Sequence, residues 1–173
     1  KIDIGGYVEN KMADLPNATW HDTLQSYAES NNLSYVEGTD YRHFEGSKVI
    51  PRLTMSQGCL FKCAFCTVPR KLTTPSFDTI KQQAESFAQL NPRLVYLNDK
   101  TFGQAPNYKY LSDVYDTIKS HNPNFEGFII QTTASQLFKL DSKWLKQSGI
   151  KFVELGVESY NDEILRPLHK PHT

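Results

Sequence analysis

The chain has 173 residues, 39% of them hydrophobic and 12% aromatic, and its 19 basic and 19 acidic side chains cancel. That length suits one domain, or one domain with a fragment, and the apolar content is enough for a core and excludes wholesale disorder. The balanced charge gives no global drive toward nucleic acid or an anionic membrane, although Arg70-Lys71 is a small local basic patch.

Residues 1–47 are polar and turn-rich. Lys1-Ile2-Asp3-Ile4-Gly5-Gly6 reads as a short strand running into a glycine turn, and residues 22–30 as a short helix. Periodicity is lost around Asp40 to Gly46, which marks a linker. No signal peptide stands at the N-terminus. No apolar run approaches the roughly 20 residues that cross a bilayer. The expectation is a soluble, cytoplasmic protein with no membrane partner.

From residue 48 to 173 strands and helices alternate. Arg52 to Ser56 is the first expected strand, and a cysteine loop follows it directly. Ser76 is placed to cap a helix in which Phe77, Ile80, Ala84, Phe87 and Ala88 share one face, and Asn91-Pro92 stops it. Leu94 to Leu97 is a short apolar strand that ends in Asn98-Asp99-Lys100-Thr101. A second helix is expected over 108–120, with Leu111, Val114, Tyr115 and Ile118 inward. Tyr96 and Tyr110 read as packing residues. Phe128 to Thr132 is a third strand, and Asp141 caps a short helix carrying Trp144 and Leu145 that ends near Gly149. Phe152 to Ser159 is a fourth strand, and Asn161 to Leu168 opens a fourth helix. Such alternation predicts βαβ units and a parallel sheet. Four units are too few for a closed eight-unit barrel, so the expected fold is α/β, an open partial barrel.

The chemistry is concentrated in Gly58-Cys59-Leu60-Phe61-Lys62-Cys63-Ala64-Phe65-Cys66, which holds all three cysteines in a C-x3-C-x2-C spacing. An odd, tightly clustered set is a poor disulfide framework and points to free thiols, a reducing compartment and a metal. Thiolates are the usual ligands of iron–sulfur clusters. Three of them leave one iron of a four-iron cubane open to a substrate or cofactor.

This motif, directly after the first strand of a βα series, resembles the signature of the radical S-adenosylmethionine (SAM) superfamily, over about residues 48–173. The resemblance implies a partial (β/α)6 barrel with a [4Fe-4S] cluster on Cys59, Cys63 and Cys66 at the C-terminal mouth of the strands. SAM would bind the open iron, and the reduced cluster would cleave it to a 5′-deoxyadenosyl radical that takes a hydrogen atom from a C–H bond. Phe65 matches a position near the adenine of SAM. Asn98 and Asp99 sit where the family contacts the methionine amino group, without the Gly-Gly-Glu usual there. Glu154, Glu158 and Ser159 at the end of the fourth strand match ribose-binding positions, and Gln131 and Thr133 point toward the same mouth. The phrases Pro51 to Cys59, Gly156 to Leu165 and Leu168-His169-Lys170 resemble two subgroups, the cobalamin-binding radical enzymes and the tRNA methylthiotransferases.

The implied activity is therefore methyl or methylthio transfer to a tRNA base or a small metabolite, with a flavodoxin or ferredoxin as electron donor. Gly5-Gly6 loosely resembles the last turn of a cobalamin-binding flavodoxin-like domain, which 47 residues cannot complete, so cobalamin ranks behind the cluster and SAM as a cofactor. The chain departs from the methylthiotransferases in having no cysteines for a second cluster. A fifth and sixth barrel strand would be expected after Thr173.

Blander readings stand beside these. The cysteines could hold zinc, with His43 as a fourth ligand, in a non-catalytic module with a structural metal. Phe65 could be core, Asp99-Lys100 a solvated turn, and Ser159 a helix cap only. Glu154 and Glu158 are four apart in the expected strand and so share one face, and one of them could instead pair with Lys151 or another base. His169 and His172 read as exposed tail residues.

Overall fold

The computed structural model describes residues 50–171. The expected strand at Lys1 to Gly6, the helix over 22–30, the linker around 40–46, and with them the segment 1–47, lie outside the described residues. Four strands form one sheet: β1 Arg52–Leu53, β2 Leu94–Leu97, β3 Gly127–Thr132 and β4 Ile150–Leu155. They lie in the order β1-β2-β3-β4, every neighbouring pair parallel. Parallel neighbours need crossovers, and the helices supply them: α1 Phe77–Gln89, α2 Leu111–His121, α3 Ala134–Leu137, α4 Ser142–Gln147 and α5 Asp162–Leu165. An unbroken sequential order is how a barrel wall grows, whereas a doubly wound sheet reverses its order. The fold is α/β, a partial parallel barrel.

The two faces of the sheet differ because side chains alternate along a strand. Leu53, Val95, Leu97, Phe128 and Ile130 pack with Ile80, Ala84 and Phe87 of α1 and with Leu111, Val114 and Ile118 of α2 in one core. Burying each of these side chains contributes about 1.5–3 kcal/mol. Arg52, Tyr96, Ile129 and Phe152 are in register across the four strands and face the other way. A register shift between Phe128 and Ile129 brings Phe152 into that row. The next row toward the strand ends contains Gln131, which pairs with Glu154.

Several elements end where expected. Ser76 Oγ accepts from Thr79 N at 3.1 Å and starts α1, and Asp141 Oδ1 accepts from Trp144 N at 2.6 Å and starts α4. Other boundaries are corrected. β1 stops at Leu53 rather than Ser56, because its ladder with β2 runs out at the Leu53–Leu97 pair. β4 spans Ile150–Leu155, not Phe152 to Ser159, because its partner β3 ends at Thr132 opposite Leu155. α2 begins at Leu111, since Pro106 first opens a 3₁₀ turn, Pro106–Tyr110. The fourth expected helix is a single turn, and the short α3 was not expected at all. No helix among the described residues is long and apolar enough to cross a membrane.

Candidate metal and cofactor site

The cysteine loop leaves the C-terminal end of β1 and is fastened before the first cysteine is reached. Met55 N donates to Asp99 Oδ1 at 2.9 Å, and Ser56 Oγ donates to Asp99 Oδ2 at 2.5 Å. Asp99 is 3% exposed, so it is an internal anchor and not part of a solvated turn. Burial pushes its carboxyl above the usual carboxylate range, and the hydrogen bonds from Ser56 and Met55 pull the other way. Gln57 and Thr73 then bridge antiparallel, with N–O distances of 2.9 and 3.1 Å, and close the base of the loop. Gly58 has φ +88°, and a Cβ there would meet Lys71 O at 2.0 Å. Only glycine fits that close approach of two backbones.

The three thiols are all free. Cys59 is buried, with Sγ 3.1 Å from Thr101 Oγ1, and Thr101 follows β2 just after Asp99. Cys63 is half-buried and Cys66 exposed, and Cys66 N donates to Cys63 O at 3.1 Å. Burial pushes the Cys63 thiol up, Lys170 pulls it down, and Cys66 and Cys59 push it up further. Cys63 thus lies within electrostatic reach of Lys170 and of the other two cysteines. Among the described residues, no three or more His, Cys, Asp or Glu side chains are grouped to hold a single metal ion.

Phe65 is 55% exposed, which places its ring at the surface of the loop and not in the core. Lys170 Nζ lies 5.8 Å from its centroid and 2.5 Å from Glu158 Oε2. Glu158 lies beyond β4 with φ +57°, so it does not share a strand face with Glu154. The polar row inside the sheet forms a second group. Tyr96 Oη donates to Glu154 Oε2 at 2.5 Å. The Arg52 guanidinium lies 4.7 Å from the Tyr96 ring centroid, and its Nη1 donates to Asn98 Oδ1 at 3.4 Å. Gln131 is exposed on the same face, while its backbone carbonyl accepts from Phe102 N at 2.9 Å.

Two expected site residues are drawn into turns. Thr133 Oγ1 accepts from Gln136 N at 3.2 Å and caps α3. Ser159 Oγ accepts from Asn161 N at 3.0 Å, and the cap of α5 is Asn161, not Ser159. Tyr96, read from the sequence as packing, instead bonds Glu154. Arg52 carries no site signal in the sequence, and Lys170 figures there only within the phrase Leu168-His169-Lys170. Period-two spacing along β1 and β2 places Arg52 and Tyr96 on equivalent faces only once the register is known. Nothing in the sequence marks Thr101.

The model of the Radical SAM superfamily matches residues 53–173, well over half of the chain. Two solved structures of the radical S-adenosylmethionine methyltransferase TsrM from Kitasatospora setae are similar. One, with cobalamin and a [4Fe-4S] cluster bound, has 16% identity and a TM-score of 0.55 over 67% of this chain and 24% of that one. The other, with tryptophan substrate and the SAM analog aza-SAM bound, has 14% identity and a TM-score of 0.56 over 76% of this chain and 26% of that one. The chain thus spans about a quarter of the length of these structures. A search of curated proteins finds no match.

Proposed function

Because this chain belongs to the radical SAM superfamily, whose cofactors are a [4Fe-4S] cluster and SAM, we propose that Cys59, Cys63 and Cys66 hold that cluster and that the protein is a group transferase acting through SAM cleavage. The donor set fits the cofactor. Soft thiolates suit iron–sulfur ligation, and all three thiols are free within one loop after β1. The zinc alternative draws its fourth ligand from His43, which lies outside the described residues.

A cluster held by Cys59, Cys63 and Cys66 would, when reduced, supply the electron for SAM cleavage and with it the power to abstract hydrogen. The chain's own residues bind and orient. Asp99 and the Gln57–Thr73 bridge fix the root of the loop. The exposed ring of Phe65 offers a flat apolar face for adenine. Asn98, Gln131 and Glu154 offer polar groups along one face of the strand ends for the methionine and ribose moieties. Asp99 has both oxygens engaged in the loop and serves as its anchor. Methyl transfer is the favoured reaction, since the similar structures carry a methyltransferase's name; methylthio transfer is the neighbouring alternative. The substrate is a tRNA base or a small metabolite, and a flavodoxin or ferredoxin is the electron donor. The proposal requires the cluster and SAM; it does not require cobalamin.

What supports this reading is the C-x3-C-x2-C spacing of three free thiols in one loop that leaves the C-terminal end of β1. Anaerobic reconstitution tests it. The wild type should hold about four irons per chain and release 5′-deoxyadenosine from SAM after reduction. Cys59→Ala, Cys63→Ala and Cys66→Ala should each abolish that product. A single variant with full activity would remove that cysteine from the ligand set. Metal binding with no 5′-deoxyadenosine from the wild type would leave only a structural module.

A further inference from the structure

A lysine is almost never buried unless it is paired, yet the Lys170 side chain is only 5% exposed. Its partner is Glu158, whose Oε2 lies 2.5 Å from Nζ. The ammonium also sits 5.8 Å from the centroid of Phe65, between the second and third cysteines. The backbone is shaped to hold this arrangement. Glu158 has φ +57° and His169 φ +52°, both in the left-handed region that non-glycine residues rarely adopt. Ala64 N donates to Leu168 O at 3.0 Å, and Lys170 N donates to Leu165 O at 3.2 Å, so the segment after β4 folds back onto the cysteine loop. A Cβ at Gly156 would lie 3.3 Å from Glu158 Oε1 and 3.6 Å from Lys170 Nζ, so this pair packs closely over that glycine.

We propose that Lys170 is a fixed countercharge for the cofactor on the cysteine loop, and that Glu158, its ion-pair partner, partly offsets that charge. This rests on the cluster reading above. A cluster becomes more negative on reduction. A nearby cation favours the reduced form and raises the midpoint potential, and a nearby anion does the opposite. The Lys170 end of the pair is sheltered from solvent while Glu158 is one third exposed, so salt screens the lysine charge less than it would a surface charge. The same cation attracts the face of Phe65, which would fix the ring that the proposal sets against adenine.

The electrostatic role and a merely structural one predict different signs. As a brace, Lys170 and Glu158 are equivalent, and removing either would move the potential the same way or not at all. As charges, they oppose each other. Wild type, Lys170→Met, Lys170→Arg and Glu158→Gln would be reconstituted anaerobically, counted for iron, and titrated with the reduced cluster followed by electron paramagnetic resonance. Lys170→Met should lower the midpoint potential, Lys170→Arg should leave it near wild type, and Glu158→Gln should raise it. Loaded Lys170→Met and Glu158→Gln variants that shift together, or not at all, would overturn the inference. If Lys170→Met takes up no iron, Glu158→Gln decides: a potential at or below wild type overturns it. A wild type that binds no cubane overturns the cluster reading and this inference with it, whereas a loaded wild type with unmoved variants overturns this inference alone.

Discussion

Asp99 joins the sheet to the cysteine loop through both of its carboxylate oxygens, and it does so while buried. Burial favours the neutral acid, so its folded pKa lies above its unfolded value of about 3.9. A raised pKa means that the folded state binds the proton more tightly than the unfolded state. The stabilising contribution is then complete below the unfolded pKa and is lost as pH rises through the folded one. Asp99→Asn keeps an oxygen for Met55 N and does not titrate. The melting temperature of the apo wild type, relative to Asp99→Asn, should therefore fall as pH rises from the acid side of the carboxylate range toward neutrality. Calorimetry across that range measures it. A constant difference would mean that Asp99 titrates like an exposed carboxyl.

The first helix shows what an element can reveal in advance. Ser76 before an apolar stripe, and Asn91-Pro92 behind it, carry their own physics: a hydroxyl for an unpaired N–H, a 3.6-residue period, and a residue disfavoured from helix before proline. The observed helix, Phe77–Gln89, buries Ile80, Ala84, Phe87 and Ala88 of the expected stripe, and Phe77 is half-buried. Phe87 is fully buried in the core shared with α2. Phe87→Ala should cost about 3–5 kcal/mol, a large share of the roughly 5–15 kcal/mol that stabilises a domain, and a thermal melt by circular dichroism should show it. A loss below about 1 kcal/mol would mean that the helix does not seal this core. Strand ends were less legible for a reason of the same kind. The alternation in Glu154-Leu155-Gly156-Val157-Glu158 continues past Leu155, but a strand lasts only as long as its neighbour, and β3 ends at Thr132. The pattern specifies which face a residue would take in a strand, and the partner specifies whether there is one. The 3₁₀ turn ahead of α2 was likewise hidden, because helical spacing alone does not separate it from the α-helix that follows.

Across the whole sheet, the cysteine loop was legible because its chemistry is local in sequence, all within Gly58 to Cys66. The polar row beside it was not, because its members meet only through register: Arg52 on β1, Tyr96 on β2 and Glu154 on β4 are drawn together over the face of β3. Tyr96 Oη reaches across from β2 to Glu154 on β4, so this hydrogen bond couples strands that are not neighbours. A hydrogen bond to a charged group contributes about 1.5–3 kcal/mol when buried, and Glu154 is only half-buried, so about 1 kcal/mol is the reasonable scale here. A double-mutant cycle isolates that term. Tyr96→Phe removes the donor with little change in shape, and Glu154→Gln keeps an acceptor while removing the charge. Urea denaturation should show Tyr96→Phe as the more costly single change, and little further loss for Glu154→Gln in its background. Additive losses would mean that the two side chains do not cooperate, and the inner face of the sheet would then be a set of separate polar groups with no link from β2 to β4.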